Sequence, residues 1–155
     1  MKLKQLFEDI MGEPVFTYES NSSSTVISAI KNRKIIGKTV INFIGDGYWE
    51  FEEVIKNPDY DFSEADYKKI FPNNRFAEIN TLQVNNDERG KGLARKLVNL
   101  AMKYARSKGE TVMYLNAAPI GQDGLNINQL VDFYKSMGFQ VVIDDKHNVE
   151  MFANL

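Results

Sequence analysis

The stretch Leu82-Gln83-Val84-Asn85-Asn86-Asp87-Glu88-Arg89-Gly90-Lys91-Gly92-Leu93-Ala94 passes from a strand-like run through a polar turn directly into the clearest helical pattern of the chain. A helix opens with backbone N–H groups that have no partner inside it, and their dipoles sum to about half a positive charge at that end. Glycine at 90 and 92 removes the Cβ atoms that would hold a phosphate at a distance, and permits backbone angles that other residues avoid. Arg89, Lys91 and Arg95 add positive charge around the same point. The residues by themselves describe a strand-turn-helix suited to a phosphate group. The plainer alternative is a glycine turn whose basic side chains are merely solvated.

Two familiar phosphate loops are excluded by the spacing. A Walker loop needs G-x-x-x-x-G-K-[ST] and a dinucleotide fingerprint needs G-x-G-x-x-G, whereas Gly92 is followed by Leu93, Ala94 and Arg95. The helix that starts here carries an apolar stripe of Leu93, Leu97, Leu100, Ala101, Tyr104 and Ala105 and closes at Gly109. The strand before it spans Phe76 to Val84.

Working outward, Leu3, Phe7, Ile10 and Met11 fall at helical spacing, so residues 1–11 read as a short amphipathic helix closed by Gly12 and Pro14. Pro14–Glu19 reads as a strand, and Thr25–Ile30 and Lys34–Ile44 as a hairpin joined by Lys31-Asn32-Arg33. Behind the turn Gly45-Asp46-Gly47, the alternation of apolar and acidic residues over Tyr48–Ile55 reads as a further half-buried strand. Ser63 with Asp66 three residues later resembles a capping box, opening a short helix through Phe71. Downstream of the long helix come a strand over Thr111–Ala118, a helix over Ile127–Met137 ended by Gly138, and a hairpin of Phe139–Ile143 with Val149–Phe152. Strands followed by strand-helix-strand-helix-strand-strand make a single α/β (α+β) domain, residues 1–155, around one mixed, mostly antiparallel central sheet flanked by helices.

Composition narrows the chemistry. With 43% hydrophobic and 26% charged residues, the 155-residue chain is an ordinary globular sequence, and its formal net charge of -2 disfavours a nucleic-acid partner. It has no cysteine, which removes disulfides, thiolate metal sites and a cysteine nucleophile together; one histidine, His147, makes a histidine metal site hard to assemble, so no metal is expected. No apolar run approaches the roughly 20 residues that span a bilayer, which points to a cytoplasmic protein without a membrane partner.

The turn Arg89-Gly90-Lys91-Gly92-Leu93-Ala94 resembles the [RQ]-x-x-G-x-[GA] signature of the GNAT superfamily. Members of that family bind the pyrophosphate of acetyl-CoA on the backbone amides of this turn. The likeness extends upstream, where Ala77–Val84 is similar to the family's central strand, and downstream, where Leu130-Val131-Asp132-Phe133-Tyr134-Lys135-Ser136-Met137-Gly138-Phe139 resembles its late helix, with a tyrosine four residues before a Gly-Phe pair. The resemblance covers residues 76–143, the cofactor-binding core, and leaves an atypical N-terminal half, residues 1–75. It implies a GNAT-like acyl-CoA N-acyltransferase fold and transfer of an acetyl group from acetyl-CoA to a small-molecule or peptide amine by direct attack.

The same resemblance implies roles for individual residues. Arg89, Gly90, Lys91, Gly92, Leu93 and Ala94 would hold the cofactor diphosphate, and Leu82, Gln83 and Val84 would meet the pantetheine arm. Tyr134 stands at the place of the general acid and Glu78 at that of a general base. Asn116 and Asn128 stand where polar groups of the family contact the cofactor, although neither asparagine at the late helix falls at the usual spacing from the tyrosine. Beside each role lies a plainer one: Tyr134 shares a helix face with Ile127, Leu130 and Val131, Glu78 alternates with Ile79, Asn126 suits a helix cap, and His147 suits an exposed turn. The family's two helices between the first strands have no room between Glu13 and Thr25, so the acceptor wall is built differently. The acidic run Glu50, Glu52, Glu53, Asp59, Asp61, Glu64 and Asp66 suits either a cationic amine or a solvated face. A non-catalytic CoA-binding module of the same fold and, further off, a nucleic-acid or protein interaction domain are the alternative readings. A homodimer is compatible with the sequence.

Overall fold

The computed structural model describes residues 12–119, 124–145 and 148–155. The helix expected over residues 1–11 and the turn residue His147 lie outside them. Seven strands, β1 (Val15–Ser20), β2 (Ser24–Lys31), β3 (Lys34–Ile44), β4 (Phe76–Val84), β5 (Val112–Ala117), β6 (Gln140–Asp145) and β7 (Asn148–Asn154), hydrogen-bond in the order β1-β2-β3-β4-β5-β7-β6. Four helices accompany them: α1 (Tyr48–Lys56), α2 (Glu64–Ile70), α3 (Leu93–Ser107) and α4 (Ile127–Lys135). The architecture is the mixed α/β sheet-and-helix arrangement that the sequence pattern implies. Internal contacts gather the chain into two compact units, one built from the residues up to Asn42 with Ile79–Tyr104, the other from Phe43–Glu78 with Ala105–Leu155.

The first unit is a meander carrying one long helix. β1 pairs antiparallel with β2, from Val15 opposite Ile30 to Ser20 opposite Thr25, and β2 pairs antiparallel with β3. Asn32 and Arg33 link β2 to β3 at φ 52° and 63°, the left-handed pair whose twist matches that of the strands it joins. Alternate residues of β2 (Thr25, Ile27 and Ala29) are buried, as period-two patterning demands of a strand with one covered face. Leu93, Leu97, Val98, Ala101 and Ala105 form the buried stripe of α3. Gly37 on β3 lets this helix come close: a Cβ there would lie 3.0 Å from the Gln83 carbonyl oxygen and 3.1 Å from a methyl of Leu93.

The second unit is organised around aromatic rings. Phe51 of α1, Tyr67 of α2, Phe71, Phe76 and Tyr114 pack with ring centroids 4.8 to 6.0 Å apart, the range in which tilted and edge-to-face pairs are favourable. Here the structure corrects one expectation, for Tyr48–Lys56 is an α-helix and not a strand. Tyr48, Phe51 and Ile55 recur at i, i+3 and i+7, and that spacing wins because it aims Phe51 into the aromatic core and leaves Trp49 70% exposed. The first third of the chain is therefore three strands and a helix. α2 opens as expected: Ser63 Oγ accepts from the Asp66 N–H at 3.1 Å while the Ser63 N–H donates to the Asp66 carboxylate at 2.8 Å. β7 lies between β5 and β6 and pairs antiparallel with both, placing Glu150 opposite Asn116 on one side and Ile143 on the other.

Candidate active site

In the first unit, the end of β4 is pinned before the chain turns. The Thr39 hydroxyl donates to the Thr81 carbonyl at 2.8 Å, and Asn85 donates its main-chain N–H to Ile36 O at 2.9 Å and its side-chain amide to Ile35 O at 3.1 Å. Between these anchors Leu82 and Val84 are half-buried and Gln83 is exposed. A single 3-10 turn, Asn86–Glu88, follows, and Arg89 reaches back with its Nε to the Val84 carbonyl at 3.4 Å. The loop that links strand to helix is thus tied to the strand by backbone and side chain alike.

Gly90 and Gly92 have φ of 76° and 80°. That region costs an L-residue roughly 1–2 kcal/mol, so the backbone itself calls for glycine. A Cβ at either position would meet nothing within 4 Å, so the space over both glycines is open. The first helical bond of α3 runs from the Lys96 N–H to the Gly92 carbonyl at 3.1 Å. The amides of Leu93 and Ala94 precede it, at the end of the helix where N–H groups find no intrahelical acceptor. Leu93 is buried and anchors the first turn, Ala94 is half-buried, and that turn carries no acidic residue. These features fit a diphosphate: the start of a helix, open approach over two glycines, and no carboxylate in the first turn to repel it.

The basic side chains stand differently from a simple cationic ring. Lys91 lies 3.5 Å from one oxygen of Glu88, whose other oxygen is 3.9 Å from Lys31 on the β2–β3 turn. Glu88, expected only as a turn residue, thereby sets the charge balance of the mouth. The first unit gathers Leu82, Gln83, Val84 and Arg89 through Ala94; Glu78, Asn116, Asn128 and Tyr134 belong to the second.

In that second unit, Tyr134 is only 6% exposed, with its ring edge-on to Phe133 and Phe139 at 5.1 and 5.6 Å. Burial pushes its hydroxyl up to about 12 and keeps it protonated. The tyrosine-to-Gly-Phe spacing has a local cause: Gly138, at φ 97°, turns the chain back so that the Met137 and Phe139 amides donate to the Tyr134 carbonyl at 3.0 and 3.1 Å. Glu78 is half-buried on β4 and Asn116 is exposed at the end of β5. Asn128 is exposed at the start of α4, lining an open groove of about 560 Å³ with Asp132, Lys135, Val141 and Asp144. Asn126 caps that helix, accepting from the Gln129 N–H at 2.9 Å while Gln129 accepts from the Asn126 N–H at 3.0 Å.

One pair has no signal in the linear sequence. The Tyr114 hydroxyl on β5 donates to Glu150 on β7 at 3.0 Å, and the other Glu150 oxygen is enclosed without a donor. Only the strand register brings these residues together. Among the described residues there is no group of three or more His, Cys, Asp or Glu able to hold a metal, and no helix is long and apolar enough to cross a membrane.

The model of the acetyltransferase (GNAT) family matches residues 3–139, most of the chain and all of the turn just described. The chain belongs to the GNAT acetyltransferase family. No curated protein sequence matches it significantly. Solved structures share the GNAT fold at low identity. The PaiA N-acetyltransferase of Thermoplasma acidophilum, in complex with coenzyme A, is 15% identical with a TM-score of 0.57, over 99% of this chain and 69% of that one. Arylalkylamine N-acetyltransferase 2 from Aedes aegypti is 24% identical with a TM-score of 0.55, over 83% and 72% of the two chains. Arabidopsis thaliana NAA60, in complex with a bisubstrate analogue, is 18% identical with a TM-score of 0.54, over 87% and 76%.

Proposed function

We propose that this GNAT protein transfers an acetyl group from acetyl-CoA to a primary amine by direct attack, holding the cofactor diphosphate on the Arg89–Ala94 turn. The observation that carries this reading is the pair of positive-φ glycines, open to solvent, at the start of α3. Leu82, Gln83 and Val84 offer the pantetheine arm the backbone of a pinned strand end, and Asn116 and Asn128 supply polar contacts to the cofactor. In the reaction the neutral amine nitrogen attacks the thioester carbonyl carbon; the C–N bond forms, the C–S bond breaks, and the sulfur leaves as thiolate. Tyr134 gives its hydroxyl proton to that thiolate, and Glu78 takes the proton the amine sheds, directly or through water. A direct attack suits a chain that has no cysteine to carry an acyl group.

Calorimetric titration with CoA tests the turn. Gly92→Ala should weaken CoA binding at least tenfold by straining the cradle, on the order of the left-handed penalty. Gly109→Ala carries the same kind of backbone strain at φ 87°, past the far end of α3, and should cost stability alone. Unchanged affinity in Gly92→Ala, or equal losses in both variants, would remove the turn from its role.

A further inference from the structure

The end of the β2–β3 hairpin breaks two local rules in favour of positive charge. A two-residue turn with both φ positive favours glycine at its second place, yet Arg33 stands there at φ 63°. The register sets Lys31 directly opposite Lys34, and like charges facing each other across a strand pair are destabilising. Three of the four residues from Lys31 to Lys34 are therefore cationic where neither the turn nor the pairing gains by it. Departures of this kind from locally favourable choices gather at functional sites.

This hairpin end is fastened to the glycine turn. Asn85, just past β4, donates its main-chain N–H to the Ile36 carbonyl and its side-chain amide to the Ile35 carbonyl, both on β3. Lys31 lies 3.9 Å from one oxygen of Glu88, and Lys91 lies 3.5 Å from the other. All of these residues belong to the first unit. Among the described residues, Glu88 is the one carboxylate ion-paired with the group Lys31, Arg33, Lys34 and Lys91, so the group keeps an excess of positive charge. Lys31 is half-buried, whereas Arg33 and Lys34 are exposed. A cationic patch open to solvent and one carboxylate away from Lys91 suits a second anionic group carried close to the diphosphate.

Coenzyme A has such a group. Its ribose bears a 3′-phosphate, a monoester close to doubly charged at neutral pH and separated from the diphosphate by a single sugar. A phosphate monoester accepts from more than one ammonium at a time through charge-assisted bonds, and in doing so it would relieve the repulsion between Lys31 and Lys34. Resting on the placement of the diphosphate on the Arg89–Ala94 turn, we propose that Lys31 and Lys34 bind the ribose 3′-phosphate of the cofactor and make this chain discriminate CoA from dephospho-CoA, which lacks only that group.

Calorimetric titration with CoA and with dephospho-CoA at low ionic strength tests the assignment. Wild type should bind CoA more tightly by about fivefold or more, the worth of two exposed ion pairs. Lys34→Gln should lower that ratio partway, and Lys31→Gln combined with Lys34→Gln should bring it near one, with the loss falling on CoA. Lys34→Gln also relieves the like-charge pair and should melt no lower than wild type; a lower melt would make Lys34 a support of the hairpin and overturn its role here. A wild-type ratio near one, or a double variant that keeps the ratio because both ligands weaken together or neither does, overturns the proposal while leaving the glycine turn in place. Wild-type protein that binds neither ligand overturns the reading of the turn itself, and this inference with it.

Discussion

The carboxylate of Glu88 stands 3.5 Å from the ammonium of Lys91, three residues further along the turn, and shares its other oxygen with Lys31 at 3.9 Å. Glu88 is thus a negative charge placed beside the turn proposed to hold the cofactor diphosphate, partly cancelling the cations beside it. Glu88→Gln should tighten CoA binding about threefold at low ionic strength, an effect that fades near 0.5 M salt as screening shortens to a few ångströms. Calorimetry at two salt concentrations reads it. Weaker binding in the variant would mean that Glu88 serves the site by holding Lys91 in place.

Gly37 sets how near α3 lies to β3. A methyl group at this position would press on the Gln83 carbonyl at 3.0 Å, which is backbone and yields little, and on Leu93 at the first turn of the helix. Gly37→Ala should destabilise the protein by about 1–3 kcal/mol through overpacking and weaken CoA binding, because the displaced residues belong to the strand end and the helix start. Urea denaturation and CoA titration check the two effects, and a fully stable variant would show that the helix rides outward at no cost.

Tyr134→Phe should lower kcat at least tenfold while leaving the CoA dissociation constant within about twofold, since the ring and its packing stay and only the proposed proton donor goes. Stability supplies a second readout. Burial raises the hydroxyl from an ordinary 10 to about 12, so the unfolded chain loses this proton first as pH rises. The stability tied to the neutral hydroxyl is complete below pH 10 and lost between about 10 and 12. Denaturation at pH 9 and pH 11.5 should show a smaller alkaline loss in Tyr134→Phe than in wild type; equal losses would contradict the burial of the hydroxyl.

Glu110 is 4% exposed and is paired in two-point fashion with the guanidinium of Arg75. Arg75→Ala leaves a buried carboxylate with no cation, while Arg75→Ala with Glu110→Gln removes the charge as well. Thermal melts should place the double variant above the single one, because an unpaired buried charge costs more than a missing pair. The reverse order would show that Glu110 finds water when its partner is gone.

Asn126→Ala should cost about 1 kcal/mol of stability through the lost cap and leave CoA affinity unaltered. A drop in CoA affinity without a drop in stability would instead make Asn126 itself a cofactor contact beside the one proposed for Asn128.

Local chemistry was legible where it was self-contained. The bounds of β4, the capping box at Ser63, the hairpin at Asn32 and Arg33, and the glycine turn into α3 each depend on residues within a few positions of one another. The Tyr48–Ile55 segment misled because Glu50 and Glu52, on either side of Phe51, mimic strand alternation, and only the aromatic partners Tyr67, Phe76 and Tyr114, from three other elements, decide that Phe51 points inward. The Tyr114–Glu150 pair was invisible for a stricter reason. It exists only through the pairing of β5 with β7, 36 residues apart, and nothing in either segment announces that register.

β4 has Phe76 and Ala77 fully enclosed at one end and Asn85 fastened just past the other. It works as a ruler clamped at both tips. Losing or gaining one residue between the clamps would invert the facing of every side chain on one side of the change, unless a bulge absorbed it. Variation in relatives should therefore arrive in this segment by exchange of side chains and not by change of length.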